Sequence, residues 1–328
     1  MMSRKAIRVM VMLMLAAIFM FPGFQVFAQD EYPNRPIKAT IGWPPGEPAD
    51  LGVRFHADKW AEFLGQPVVI INKPGASGAL AAKSIANEKP DGYNLLVIGD
   101  STVLNSRLER KDAGFDLDSF RYVFYYGEIA FFYSVKSDSK WKTLNDFLRE
   151  AKNNPGKLKY GCLGPNNALV MATNILSEIA GVKLTYVPFK SGSDALTSVI
   201  GGTIDMAVTW GLLGVGKSPM IRPLAVSREE RVPDSPDVPT LKELGYDLKY
   251  TGSQSGLAAP RKTPDKVLAK LKEAHSKMRV KYAKELQDSL SNLGQYSTYM
   301  DGNLILNRLQ EKEKLFKKFY EQIGFKPQ

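Results

Sequence analysis

Short apolar runs and longer amphipathic segments alternate along most of the chain. The short runs predict strands at 37–41, 68–71, 94–98, 158–162, 184–189, 204–208 and 221–226, and the aromatic, β-rich stretch 120–136 predicts more. The amphipathic segments predict helices at 51–64, 79–87, 144–152, 194–200 and 303–323. This alternation is typical of an α/β chain with mostly parallel sheets.

Capping signals mark three helix starts. Asp50 precedes the first amphipathic segment and is expected to cap it. Thr143 and Asp146 have the spacing of a capping box. Near the C-terminal part, Thr263 stands before Pro264, which predicts a cap followed by proline at the first helical position.

The N-terminal segment has the pattern of an export signal. Three basic residues and no acid lie within 1–8, and an apolar run over 9–21 follows. We expect cleavage after Ala28, because residues 26–28 are small or apolar where a signal peptidase reads them. The alternative is a transmembrane anchor, which Pro22 and Gly23 disfavour because they interrupt the apolar run.

The charge and the cysteine count narrow the function classes. The formal net charge is +10, which favours anionic partners, but the basic residues are spread along the chain and do not indicate nucleic acid. The single cysteine, Cys162, excludes an internal disulfide. One cysteine and two histidines, His56 and His275, are too few ligands for a typical structural metal site, and no cofactor is expected.

Several polar residues of the helices are expected to be structural. His56 and His275 are interpreted as helix-surface or interface residues. In the last helix, four lysines alternate with acids and phenylalanines and predict a solvated amphipathic face: Lys312, Lys314, Lys317 and Lys318.

The segment 37–50 combines a strand, a rigid Pro/Gly loop and a helix start. Such a junction presents free backbone N–H groups at the positive end of the helix dipole. The segment is therefore a candidate site for an anionic small molecule.

A set of ordered motifs gives the chain a resemblance to a known family. It resembles the periplasmic solute receptors of tripartite tricarboxylate transporters, also called Bug receptors, over 32–325. Each motif is weak alone, and their order and spacing carry the resemblance: Pro44-Pro45-Gly46 with Asp50, Asn72-Lys73-Pro74-Gly75-Ala76-Ser77-Gly78, Lys89-Pro90-Asp91-Gly92-Tyr93, Gly201-Gly202-Thr203-Ile204-Asp205, Pro236-Asp237-Val238-Pro239-Thr240 and Gly256-Leu257-Ala258-Ala259-Pro260.

The resemblance implies a two-lobed α/β clamshell of the periplasmic-binding-protein kind, with mixed sheets flanked by helices. Residues 29–129 and 253–328 are expected to form lobe 1, and 130–252 lobe 2. A small organic anion, expected to be a carboxylate, binds in the cleft and passes to a membrane transporter made of separate chains. The receptor is expected to be a periplasmic monomer and not an enzyme. The alternative is a receptor that feeds a sensor kinase or chemoreceptor.

The resemblance also implies a set of ligand-binding residues. From lobe 1 they are Trp43, Pro45, Gly46, Glu47, Ala49, Asp50, Ser101 and Thr102. From lobe 2 they are Gly161, Cys162, Gly164, Asn166, Asn167, Lys190, Ser191 and Thr209.

Some of these residues have a second interpretation or depart from the family pattern. Trp43 either stacks on the ligand or shields the cleft, and Lys190 either pairs with a carboxylate or lies in solvent. Cys162 is the one candidate nucleophile, although a small apolar strand residue is the expected role. Many relatives have glycine at the position of Glu47 and an acid at that of Thr209, so a plain di- or tricarboxylate is not the only ligand to consider.

Overall fold

The computed structural model describes residues 31–164, 168–212, 214–248, 252–322 and 324–327. The predicted export signal, 1–28, lies outside these ranges. The strands are β1 (Ile37–Ile41), β2 (Val68–Asn72), β3 (Asn94–Gly99), β4 (Phe120–Ile129), β5 (Phe131–Lys136), β6 (Lys159–Leu163), β7 (Thr185–Phe189), β8 (Met206–Trp210), β9 (Ile221–Val226), β10 (Ser253–Pro260) and β11 (Gln295–Asp301).

The α-helices flank these strands. They are α1 (Pro48–Leu64), α2 (Ala79–Ala86), α3 (Ser106–Leu108), α4 (Leu144–Asn153), α5 (Ala168–Ala180), α6 (Gly192–Ile200), α7 (Asp265–Lys281), α8 (Ala283–Ser291) and α9 (Gly302–Gln322). A π-helical turn, Ser101–Asn105, leads into α3. Within the described ranges, no helix is both long and apolar enough to cross a membrane.

The strands form two mixed sheets. The six-stranded sheet has the order β11-β4-β10-β3-β1-β2, and the five-stranded sheet has the order β7-β6-β8-β5-β9. β1 runs parallel to β2 and β3, and β6 runs parallel to β7 and β8. β10, β11 and β5 pair antiparallel with their neighbours. The alternating pattern therefore predicted more parallel pairing than the structure has, because the pattern does not show that β5, β10 and β11 run antiparallel to their neighbours.

One extended segment runs through both sheets. β4 lies between β11 and β10 in the six-stranded sheet, and β5 lies between β8 and β9 in the five-stranded sheet. Only Ala130, which is fully buried, separates the two strands. The chain returns to the six-stranded sheet at Ser253, so the division into sheets falls close to the predicted lobe boundaries. That the two lobes move as units remains a prediction.

The capping predictions hold at one of three helix starts. The Thr143 side chain accepts from the Asp146 N–H, and the Asp146 carboxylate accepts from the Thr143 N–H, as a capping box requires. The cap at Asp50 is wrong, because α1 begins at Pro48 with Glu47 as its N-cap. The cap at Thr263 is also wrong, because Pro264 itself is the N-cap of α7.

The two histidines are core residues, which corrects the surface or interface interpretation. Both are fully buried, one on α1 and one on α7. The His56 Nδ1 lies 2.8 Å from the Gly52 carbonyl oxygen, and Trp60 Nε1 donates to His275 Nδ1 at 3.0 Å. The His275 ring also stacks on Phe124 of β4, with centroids 4.1 Å apart. These contacts fix α1 and α7 against one face of the six-stranded sheet.

The C-terminal helix α9 is fixed by a buried ion pair, which corrects the solvated interpretation of Lys312. Its ammonium lies 3.1 Å from the nearer carboxylate oxygen of Asp100 and 3.3 Å from Gln254 Oε1. Lys312 is 0 % exposed and Asp100 is 2 % exposed. Lys314, Lys317 and Lys318 are exposed, as predicted.

Protonation of the buried histidines sets a pH dependence of stability. Burial lowers the pKa of His56 to about 4, and burial followed by the charge of His56 lowers the pKa of His275 well below its usual range. Between about pH 6.5 and 5 the unfolded chain binds protons that the folded chain excludes, so the free energy of unfolding falls as the pH falls. We expect each histidine to contribute up to about 1.4 kcal/mol per pH unit.

Urea denaturation at pH 5, 5.5, 6 and 6.5 measures this slope. The variants His56→Gln and His275→Gln are each expected to lose about half of it, whatever their absolute stability. A slope that both variants retain in full would contradict the assignment to the histidines.

Loss of the Lys312 ammonium is expected to destabilise the fold. Lys312→Met leaves the Asp100 carboxylate buried without its cation, at a cost of about 3–5 kcal/mol in the free energy of unfolding. Chemical denaturation measures the loss, and the double variant Asp100→Asn/Lys312→Met should recover much of it. Lys314→Met, on the exposed side of α9, is the matched control and should change stability by less than about 0.5 kcal/mol. Equal stability of the two single variants would contradict a buried pair.

Candidate functional site

A cavity of about 570 Å³ lies between the two sheets, at the carboxyl ends of their parallel strands. Ile41, Gly99, Leu163 and Trp210, at the ends of β1, β3, β6 and β8, all line it. Ligands of open α/β sheets bind at this edge, and the volume suits a small molecule. The cavity is therefore the candidate site.

The loop between β1 and α1 forms one wall of the cavity. Trp43, Glu47 and Ala49, all predicted site residues, line it, as does Pro48. The first intrahelical bond of α1 runs from the Leu51 N–H to the Glu47 carbonyl oxygen. Proline has no N–H, so the N–H groups of the first turn that lack an intrahelical acceptor are those of Ala49 and Asp50.

Asp50 lies beneath this loop and holds its shape. It is 1 % exposed, and its Oδ2 accepts from the Gly46 N–H at 2.9 Å and from Arg54 Nε at 3.0 Å. Its Oδ1 accepts from Asn72 Nδ2 at 2.7 Å, and the same amide donates to the Trp43 carbonyl oxygen. Desolvation acts to raise the pKa of Asp50, but these hydrogen bonds outweigh it and the pKa is lowered. The carboxylate is thus ionised, and its hydrogen bonds join the loop to α1 and β2.

Backbone packing brings a second loop against the first. A Cβ on Gly42 would lie 2.6 Å from the Gly78 Cα, closer than atoms approach without a shift. Gly42 follows β1, and Gly78 ends the short 3₁₀ turn that carries Ser77 to the cavity wall. Glycine at this position lets the two walls meet.

The end of β3 supplies the acidic floor of the cavity. Gly99 and Asp100 line it, and Asp100 is the residue that pairs with Lys312 of α9. Sequence reasoning missed both members of this pair. A signal was present, since Lys312 falls on the apolar stripe of α9 that Ile305, Leu309 and Phe316 mark at helical spacing.

Strand alternation decides which residues of the five-stranded sheet line the cavity. Cys162 and Thr209, predicted as ligand-binding, are buried and do not line it. Their successors, Leu163 and Trp210, do line it, because neighbouring residues of a strand point to opposite sides. The Thr209 hydroxyl donates instead to the Gly211 carbonyl oxygen.

Most of the other predicted residues are absent from the cavity lining. Gly161 is buried within β6, Lys190 is exposed, and the Ser191 side chain caps α6 by accepting from the Asp194 N–H. Residues predicted to line the cleft but absent from the lining are Pro45, Gly46, Asp50, Thr102, Gly161, Gly164, Lys190 and Ser191. Asn166 and Asn167 lie outside the described residues, and so does the side chain of Ser101.

Two kinds of catalytic group, an activated thiol and a metal cluster, are not found among the described residues. Burial raises the pKa of Cys162 to about 12, so its thiol is not poised as a nucleophile. Within the described residues, no group of three or more His, Cys, Asp and Glu is placed to hold a metal ion.

Comparison with known proteins assigns the family. Residues 53–325 match the model of the tripartite tricarboxylate transporter family receptor. A curated protein of Cupriavidus necator, described as a UPF0065 protein in the gbd 5′ region, is 32% identical over 90% of this chain and 89% of its own.

Solved structures have the same fold. A TctC solute-binding protein from Polaromonas, described without ligand, is 25% identical, covers 89% of this chain and 99% of its own, and superimposes with a TM-score of 0.79. A protein of R. palustris, described with adipate, is 24% identical over 91% of this chain and 100% of its own, with a TM-score of 0.66.

These matches bear on the predictions made from the sequence. The two-lobed α/β fold of periplasmic solute-binding proteins is confirmed, and so is the resemblance to Bug receptors. The family consists of receptors, which agrees with the prediction that the chain is not an enzyme. The chain belongs to the tripartite tricarboxylate transporter receptor family.

Proposed function

We propose that this protein is a periplasmic receptor that binds a small organic acid in the cavity between its two sheets. The ligand-loaded receptor then delivers the solute to a transporter whose membrane subunits are separate chains. Membership of the receptor family supports the receptor role, and the described adipate complex of a relative supports a carboxylate as the ligand.

The single observation that carries the proposal is the position of the cavity. It lies at the carboxyl ends of parallel strands from both sheets and beside the N-terminus of α1. Ala49 lines the cavity, and its N–H lies in the first turn, at the positive end of the helix dipole. A ligand carboxylate that accepts from it would be held without a full counter-charge.

Closure of two lobes completes the site in this proposal. Most of the cavity wall belongs to 29–129 and 253–328. The five-stranded sheet contributes Leu163 and Trp210, and the start of α5 contributes Ala168. Bending where the chain crosses between the sheets, at Ala130 and near Ser253, brings the end of β6 and Lys190 towards the ligand. Hinge closure of this kind buries the ligand and adds contacts from both sides.

The proposal includes export and a monomeric state. Residues 1–28 direct the chain out of the cytoplasm and are removed after Ala28. Mass spectrometry of the protein recovered from the periplasm tests the cleavage position, and a mature chain that retains residue 28 would contradict it.

A thermal-shift screen of linear and aromatic carboxylates tests the binding function. A ligand that binds only the folded state raises the melting temperature, and above Kd the stabilisation grows with the logarithm of the ligand concentration. Titration calorimetry with the compounds that raise it then gives their affinities. The absence of any carboxylate that binds would contradict the proposal.

Loss of the Asp50 carboxylate is expected to weaken ligand binding about tenfold, since three loop-holding hydrogen bonds disappear with it. Calorimetry on Asp50→Ala with a carboxylate found in the screen measures the effect. Asp58→Ala, an exposed position on the same helix, is the matched control and should bind like the unmodified protein. Unchanged affinity of a folded Asp50→Ala would show that the loop does not hold the ligand.

A further inference from the structure

We propose that the ligand of this cavity carries a cationic nitrogen as well as a carboxylate, an inference that rests on the proposed function and specifies its solute. Three acids line the cavity: Glu47, Asp100 and Glu109. Only Asp100 has its charge matched by an ammonium group, that of Lys312.

Glu109 is oriented by neutral donors. Its two carboxylate oxygens accept from the Ser77 hydroxyl at 3.1 Å and from the Tyr320 hydroxyl at 3.0 Å. Burial, and after it the charge of Glu109, raises the pKa of Tyr320, so the phenol keeps its proton and continues to donate. These bonds fix the carboxylate at the cavity wall without neutralising it.

Glu47, at the end of the loop between β1 and α1, adds a second unmatched charge to the cavity wall. It is the N-cap residue of α1, but its side chain makes no capping hydrogen bond and is exposed at the cavity. Across the described ranges, neither Glu47 nor Glu109 forms an ion pair with a lysine or arginine, and no lysine or arginine lines the cavity.

Two indole rings accompany these acids. Trp43 lines the cavity from the loop that follows β1, and Trp210 lines it from the end of β8. Indole faces attract ammonium groups, most strongly when water is excluded. Carboxylates together with tryptophans thus form a wall that suits a cation.

The charge of the wall selects among organic acids. A plain dicarboxylate would bring one carboxylate towards Ala49 and its second towards acids that repel it. A zwitterion places its carboxylate at the helix start and its ammonium against Glu47 or Glu109. The glutamate that the ammonium reaches then gains a charge-assisted hydrogen bond, and the negative charge of the other still favours the cation.

Three probes of equal length test the inference: adipate, 6-aminohexanoate and hexane-1,6-diamine. Titration calorimetry on the mature chain is expected to give a Kd for 6-aminohexanoate at least about tenfold lower than that for adipate. Glu47→Gln and Glu109→Gln should each weaken 6-aminohexanoate and strengthen adipate, which changes their ratio about tenfold or more. Glu273→Gln, an exposed member of an ion pair on α7, is the matched control and should leave the ratio unchanged.

The three probes separate failure of the inference from failure of the proposed function. Tighter binding of adipate, or a ratio that neither cavity variant changes, overturns the cationic ligand and leaves the carboxylate receptor in place. Tightest binding of the diamine overturns the carboxylate receptor and retains the cation. Binding of none of the three at millimolar concentration contradicts the cationic ligand, and the screen of linear and aromatic carboxylates then decides the receptor function separately.

Discussion

The passage of one extended segment through both sheets is the constraint on which the rest of the structure depends. β4 and β5 are interior strands of different sheets, and one buried residue, Ala130, separates them. Formation of either sheet therefore fixes the direction in which the chain enters the other sheet. This linkage brings the carboxyl ends of β1 and β3 to the same cavity as those of β6 and β8.

Buried polar contacts then fix the helices around this frame. The histidines attach α1 and α7 to one face of the six-stranded sheet, and the Lys312–Asp100 pair attaches α9 behind the cavity. Such groups are costly to bury without partners, so they restrict the packing to one arrangement. The hydrogen bonds of Asp50 with Gly46 and Asn72 have the same role on a smaller scale, since they fix the shape of the loop between β1 and α1.

Local patterns predicted the elements well and the site less well. The run 221–226 and the capping box at Thr143 follow from neighbouring residues alone, and the structure has both. The burial of His275 and Lys312 depends on partners more than two hundred positions away, which no local pattern contains. At the cavity, the prediction of Cys162 and Thr209 was one residue out of phase with the strands. The loop between β1 and α1 could be recognised because its proline and glycine signals are local, and the ligand-binding role of its residues stays a prediction.

The pairing of Asp100 with Lys312 also has a consequence for the order in which the protein matures. The two residues are 212 positions apart, and the second lies in the last helix of the chain. A polypeptide that has not yet been synthesised or translocated to its end has the acid of the cavity floor but not its counter-ion. The Asp100 carboxylate therefore gains its counter-ion only after α9 has packed against the rest of the protein. Proteolytic cleavage in α9 that separates Lys312 from the protein would leave this carboxylate unpaired again.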